Sequence, residues 1–212
     1  SLGLEKIKIR EHTKDELSHY SSATFDIDYE FPFGSKEVTG IADRGVFDLT
    51  QHAKESNKNL EIFDEVSGKK VLPKVIEPTF GLERVFLGVL VNGYEYDKKR
   101  DNVVLKLPAR LAPVKAAIFP LVKTDKKLVK IANEVYASLG KEWNVSFDES
   151  GSVGRRYSRN DEIGTPFCVT IDEKSLKDKS VTIRDRDTTK QVRIKITDLN
   201  DVFRKVIIDG ES

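Results

Sequence analysis

The sequence predicts an α+β unit followed by an α/β unit, the first built on an antiparallel sheet with helices and the second on a mixed sheet. Three observations carry this. Phe25-Asp26-Ile27-Asp28-Tyr29-Glu30-Phe31 alternates apolar and polar residues, then runs into the turn Pro32-Phe33-Gly34-Ser35 and a returning strand, Lys36 to Ile41. Later in the chain, strand-like and helix-like segments alternate, the pattern of a mixed or parallel sheet covered by helices. Between the two patterns, Leu105-Lys106-Leu107-Pro108-Ala109-Arg110-Leu111-Ala112-Pro113 carries two prolines, which places the units at 1–104 and 105–212.

In the first unit, Asp48 to Glu55 reads as a helix, and Glu65 to Pro73, with its Ser67-Gly68 turn, as a hairpin. Lys74 to Phe80 reads as a strand that feeds directly into an apolar helix, Gly81 to Leu90. In the second unit the expected order begins with a strand at Ala116 to Pro120. A helix follows with Thr124 as N-cap, Leu128, Ile131, Val135 and Leu139 at helical spacing, and Gly140 as its end. Strand Val145 to Phe147, a short helix around Arg155 to Asn160, and strands Phe167 to Ile171, Val181 to Arg184 and Gln191 to Ile196 complete the sheet. Asp198 to Ile207 reads as a terminal helix.

Composition narrows the function classes. At 38% hydrophobic and 33% charged the chain can bury cores, and no apolar run approaches the length of a membrane span. Ser1-Leu2-Gly3-Leu4 has no basic or apolar signal region, so a cytoplasmic address is expected, with Ser1 a candidate expression scar. The single cysteine, Cys168, excludes an internal disulfide and a thiolate metal cluster, and its apolar setting predicts a core residue. His12, His19 and His52 lack metal-ligand spacing, and Trp143 reads as packing. The net charge of +1 is uneven: residues 1–104 hold 15 Lys and Arg against 19 Asp and Glu, and residues 105–212 hold 21 against 16. The second unit is thus the better polyanion binder, although a solvated mixed surface explains so modest a lean equally well.

Two constellations can carry chemistry. Glu77 and Arg84 flank a strand-to-helix junction containing Pro78 and Gly81, where a carboxylate suits an ammonium group and a guanidinium suits phosphate oxygens. Taken as residues alone, they read as an ion pair at the helix start. Glu37-Val38-Thr39-Gly40-Ile41-Ala42-Asp43-Arg44 places Glu37, Thr39 and Ile41 on one strand face, and an inward acid there can meet Mg²⁺ beside a nucleotide, whereas a half-exposed one is simply solvated.

Longer stretches carry a resemblance. Val75-Ile76-Glu77-Pro78-Thr79-Phe80-Gly81-Leu82-Glu83-Arg84 resembles motif 3 of archaeal and eukaryotic glycyl-tRNA synthetases, which are class II enzymes. Glu37 to Leu49 is similar to the same family's preceding strand and its Ala-Asp-Arg continuation, and His19-Tyr20-Ser21 to its His-Tyr-Ala element. Gly151 to Tyr157 and Asp161 to Phe167 are similar to the signature of its anticodon-binding domain.

The resemblance implies the C-terminal part of a class II catalytic domain in 1–104 and an anticodon-binding domain in 105–212. It implies glycine contacts from Glu77, Pro78 and Thr79, the last replacing the family's usual serine. Arg84 would bind the ATP γ-phosphate, with Glu37 and the Val38 backbone against the nucleotide and Glu37 an Mg²⁺ contact. The implied reaction is activation of glycine to glycyl-adenylate and transfer to tRNA(Gly), by a parent expected to be a cytoplasmic homodimer. Arg155, Arg156, Arg159, Arg184 and Arg186 are candidates for reading unstacked anticodon bases, although the alternating Arg184-Asp185-Arg186-Asp187 also reads as a self-paired loop. Motifs 1 and 2 of the class have no counterpart before Ile7, so a fragment inactive by itself is expected. A stand-alone tRNA-binding module and an accessory protein of synthetase ancestry, such as a polymerase processivity subunit, are the competing readings.

Overall fold

A computed structural model describes residues 2–209, so Ser1 lies outside the described residues. The chain forms two compact units, one spanning Leu4–Gly88 and the other running on from Val89.

The first unit is organised by an antiparallel sheet of order β1-β2-β3-β6. Its strands are β1 (Ile7–Glu11), β2 (Ala23–Phe31), β3 (Gly34–Asp43) and, after helix α1 (Phe47–Ser56) and the small hairpin β4 (Ile62–Asp64) and β5 (Lys69–Val71), β6 (Ile76–Phe80). The β2–β3 hairpin follows from the alternation at Phe25 to Phe31, and the turn at Gly34 takes a positive φ of 106°. Helix α2 (Leu82–Gly93) follows β6 at once. Gly88 on it lies against Tyr29 and Phe31, both buried, so one face of the sheet packs on the helix and the other is left for chemistry.

The register contains one irregularity with consequences. Ile27 pairs with Thr39 and Asp28 with Glu37, leaving Val38 as an inserted residue. Val38 and Thr39 are consecutive yet both buried, at 3% and 5% exposure, so alternation breaks there. Strict alternation expects Glu37 beside Thr39 and Ile41; the bulge instead turns it toward Gly40, where a Cβ would lie 3.2 Å from Glu37 Oε1.

The second unit begins with a hairpin of β7 (Tyr94–Asp97) and β8 (Asn102–Leu105), four residues each and too short for the sequence pattern to reveal. Its mixed sheet has the order β10-β9-β11-β12-β13, from β9 (Ala116–Pro120), β10 (Val145–Phe147), β11 (Phe167–Ile171), β12 (Ser180–Asp185) and β13 (Gln191–Lys195). β9, β10 and β11 run parallel, and β12 and β13 antiparallel to their neighbours. Between strands lie α3 (Lys126–Leu139), α4 (Val153–Glu162) and α5 (Glu173–Asp178), and α6 (Leu199–Arg204) follows β13. The terminal segment expected to be one helix divides into a 3₁₀ turn (Ile196–Asp198), α6 and a π turn (Lys205–Asp209).

The main core joins Ile118, Val169, Ile171, Val181 and Ile183 of the sheet to Leu128, Val135 and Leu139 of α3 and to Leu199 and Phe203 of α6, with Trp143 packed at its margin. On the opposite face, Ala117, Phe119 and Cys168 lie under Val153 and Tyr157 of α4. Asp125, not Thr124, is the N-cap of α3, accepting from the N–H groups of Lys127 at 2.8 Å and Leu128 at 3.4 Å. A carboxylate there also meets the positive end of the helix. Gly140 does end α3, but with φ −65°, so the residue is needed for closeness rather than a left-handed turn: a Cβ would sit 2.9 Å from the Tyr136 carbonyl oxygen.

Candidate functional site

The open face of the first sheet can be followed strand by strand. Arg10 pairs with Asp26, Asp26 with Gly40 and Gly40 with Thr79; two residues along, Thr24 pairs with Ala42 and Ala42 with Glu77. Glu77 and Thr79 are two apart on β6 and share this face, while Pro78 between them turns to the other. Opposite them stand Gly40 and Ala42, which present almost no side chain, so the two functional groups border an open floor.

Charge is arranged with care around that floor. Arg44 Nη1 donates to Glu77 Oε2 at 2.8 Å, and its Nε and Nη2 donate to Asp48 at 2.6 and 2.7 Å in the paired geometry that suits a guanidinium. The same guanidinium lies 4.1 Å from the centre of the Tyr20 ring. Arg44 is held charged above its ordinary range by these bonds, first that to Asp48, and Asp48 is held below the usual carboxylate range by Arg44. Deeper in, Asp26 accepts from Arg10 Nη2 at 2.5 Å and bonds His12 Nε2 at 2.8 Å, which raises the His12 pKa above its ordinary value. A Cβ on Gly40 would lie 3.6 Å from Asp26 Oδ1 as well as against Glu37, so both acids border the same small space.

Glu77 and Arg84 do not pair with each other. Glu77 is bonded by Arg44, and Arg84 Nη1 donates to the Glu37 carbonyl oxygen at 2.9 Å, with the Gly81 N–H on the Val38 carbonyl at 3.0 Å. The strand-to-helix junction is therefore tied to the β3 bulge, bringing Glu37, Val38 and Arg84 together. Arg10, His12, Asp26, Arg44 and Asp48 are not among the site residues expected from the sequence, where His12 enters only as lacking metal-ligand spacing and Arg44 only as the end of a strand segment. A signal existed only for Arg44 and Asp48, whose four-residue spacing at a helix start suits an ion pair.

The five arginines of the second unit divide sharply. Arg156 is 2% exposed and its guanidinium donates to the carbonyls of Pro120, Glu149 and Gly151. Arg184, 6% exposed, is bidentate with Asp161 at 2.8 and 2.9 Å and lies over the Tyr157 ring. Arg186, 2% exposed, donates to the carbonyls of Gly164 and Leu107 and to Asp187. These three hold the fold and are closed to a partner, a correction to their expected place at the surface. Arg155 and Arg159 are exposed, the latter paired with Asp148 at 2.6 Å.

Residues 115–206 match a family model described as the anticodon binding domain. The chain is 50% identical over 202 residues to the glycine–tRNA ligase of Ruminiclostridium cellulolyticum, covering 94% of this chain and 43% of that protein. The corresponding ligase of Mycoplasmopsis synoviae is 49% identical over 204 residues, covering 93% and 45%, and that of Bacillus cereus 47% identical over 211 residues, covering 98% and 45%. The chain is similar to glycine–tRNA ligases along nearly its whole length. It spans less than half of those ligases' own length. No helix among the described residues is long and apolar enough to cross a membrane.

Proposed function

We propose that this chain is the C-terminal part of a cytoplasmic, homodimeric glycine–tRNA ligase, joining one wall of the glycine and ATP site to the reader of the tRNA(Gly) anticodon. The observation that carries the reading is the Glu77 and Thr79 pair, set on one face of β6 over the side-chain-free Gly40, with the Glu77 carboxylate fixed by Arg44. The ligase relatives support it. Their names go no further than the activity, and those compared are bacterial, which gives no support to the narrower archaeal and eukaryotic placement. The functional domain boundary at 104–105 is part of the same proposal.

In this reading Glu77 accepts hydrogen bonds from the glycine ammonium, Pro78 holds the strand, and the Thr79 hydroxyl contacts the same substrate. Arg84 faces the γ-phosphate, and Glu37 with the Val38 backbone lies against the nucleotide. The glycine carboxylate oxygen attacks the α-phosphorus of ATP, the bond to the β-phosphate oxygen breaks, and pyrophosphate leaves with glycyl-adenylate behind. The terminal ribose hydroxyl of tRNA then attacks the glycyl carbonyl and releases AMP. Positioning and neutralisation of phosphate charge do this work without a protein nucleophile. No group of three or more His, Cys, Asp or Glu able to hold a metal occurs among the described residues, and Asp26 is already bonded by Arg10 and His12. Glu37 therefore fits Mg²⁺ only as a single carboxylate, with phosphate oxygens and water completing the shell. Bound there, the ion would neutralise phosphate charge.

A stand-alone tRNA-binding module or a synthetase-derived accessory protein has no use for Glu37, Glu77 and Arg84 held together with an arginine clamp on Glu77. The second unit is tested directly by titrating a tRNA(Gly) transcript with the chain at several salt concentrations. Binding should weaken steeply as salt rises, by roughly 0.7 to 0.9 in the log–log slope for each phosphate contacted. Absent or salt-insensitive binding would contradict the reading.

A further inference from the structure

The Arg44 guanidinium is shared unequally between two carboxylates. Its Nε and Nη2 fork onto Asp48 at 2.6 and 2.7 Å, while Nη1 alone reaches Glu77, at 2.8 Å and on Oε2 only. Among the described residues no donor meets Glu77 Oε1, and the Glu77 side chain is 46% exposed. One carboxylate oxygen therefore stands open on the face that Glu77 shares with Thr79. Three restraints hold the guanidinium in this attitude. The Arg44 N–H donates to the Val75 carbonyl and the Val75 N–H to the Gly45 carbonyl, fixing the main chain of the arginine beside the lead into β6. The guanidinium carbon lies 4.1 Å from the centre of the Tyr20 ring, which packs in turn on His19 and Phe47. The third restraint is Asp48, in the first turn of α1, and it alone grips a hydrogen-bonding edge. The Asp48 carboxylate accepts hydrogen bonds only from Arg44 among the described residues, and that pairing holds it below the usual carboxylate range.

We infer that Asp48 is a positioning residue for glycine: by engaging the Nε and Nη2 edge it restricts Arg44 to one bond on Glu77 and leaves Oε1 for the substrate ammonium. An arginine facing a single carboxylate settles into the two-bond fork. Without the Asp48 carboxylate, the Arg44 fork is free to turn onto Glu77 and fill both oxygens with a cation that cannot be deprotonated. The glycine ammonium then competes for an acceptor that is already neutralised. The loss falls on the amino group of the substrate, because Asp48 acts only through Arg44 and Arg44 only on Glu77. The inference rests on the glycine site proposed above and adds to it the residue that keeps half of its carboxylate free.

The test uses Asp48→Asn in the full-length protein, with glycine-dependent pyrophosphate exchange and the binding of two stable adenylate analogues as readouts. One analogue is glycyl-sulfamoyl adenosine, and the other is its acetyl counterpart, identical but for the missing amino group. The variant should raise the KM for glycine about tenfold, the scale of one hydrogen bond to a charged group, with kcat and the KM for ATP near those of the unsubstituted protein. It should weaken the glycyl analogue by a similar factor and leave the acetyl analogue unchanged. Placed in the Arg44→Lys background, the same substitution should add no more than about twofold, because the two residues act as one unit. An unchanged KM for glycine, an equal loss of both analogues, or effects that multiply in the double variant overturns the role of Asp48 and leaves the glycine site standing. No glycine-dependent exchange by the unsubstituted protein overturns both.

Discussion

Arg44 ties two carboxylates and a ring together in the candidate site, because its single guanidinium bonds Glu77 and Asp48 and stacks on Tyr20. Lysine cannot reproduce that fork. If the proposed function holds, Arg44→Lys in the full-length protein should raise the KM for glycine about tenfold or more, with a smaller effect on the KM for ATP; equal effects on both would argue against a clamp on Glu77. At Gly40, an added methyl would lie 3.2 Å from Glu37 Oε1 and push that carboxylate aside by a few tenths of an ångström, so Gly40→Ala should weaken nucleotide binding without unfolding the sheet, as read by ATP titration alongside circular dichroism. His12 has its folded pKa raised by Asp26, so the stabilisation it gives is fully present below about 6.5 and is lost as pH rises through the folded pKa. Its ring proton resonances should therefore titrate above the ordinary histidine midpoint, and Asp26→Asn should bring that midpoint down. Burial pushes the Cys168 thiol up to about 12, so a thiol reagent should label the native chain negligibly and the unfolded chain at once. The sequence allowed Cys168 to be placed in the core from its apolar neighbours, but not Arg156, Arg184 or Arg186. A guanidinium satisfied by buried carbonyls leaves the same local pattern as one in water.

Central strands were the most legible elements. Ala116–Pro120 and Phe167–Ile171 coincide with their expected limits because both faces of each strand are largely buried, and the edge strand Val145–Phe147 because Val145 and Phe147 alternate about Ser146. β1 and β7 are mostly open to solvent, so pairing rather than burial makes them strands, and β8, although Val104 is buried, is only four residues long and offers no alternation to read. The β3 bulge was equally hidden: it depends on the register of a partner strand, and it alone sends Glu37 to the face of Glu77. Between elements, Asp161 of α4 joins Arg184 of β12 and Arg100 of the β7–β8 hairpin, which also bonds the carbonyls of Arg186 and Asp187. Removing the acid from so buried a pair leaves an uncompensated guanidinium. Asp161→Asn should cost about 3–5 kcal/mol in urea unfolding of the second unit, and a loss below 1 kcal/mol would show the pair to be dispensable.

At the scale of the whole chain, the two units differ in how completely they close. The second has a continuous core against its sheet, whereas the first leaves Ile9, Phe80, Leu82 and Phe86 between 64% and 74% exposed and every residue of the edge strands β1 and β6 open to solvent. The chain is less than half as long as the ligases it resembles. The motif sequence made Glu77, Thr79 and Arg84 readable as candidates, yet the arginine that bonds Glu77 and the bulge that turns Glu37 toward Gly40 required the fold. The central claim is that these residues form the glycine wall of an aminoacylating enzyme, and pyrophosphate exchange into ATP by the full-length protein measures it most directly. Exchange should depend on glycine, be far weaker with alanine, and fall by at least a hundredfold in Glu77→Gln. Exchange that is absent with glycine, equal with alanine, or unaffected by Glu77→Gln would contradict the account.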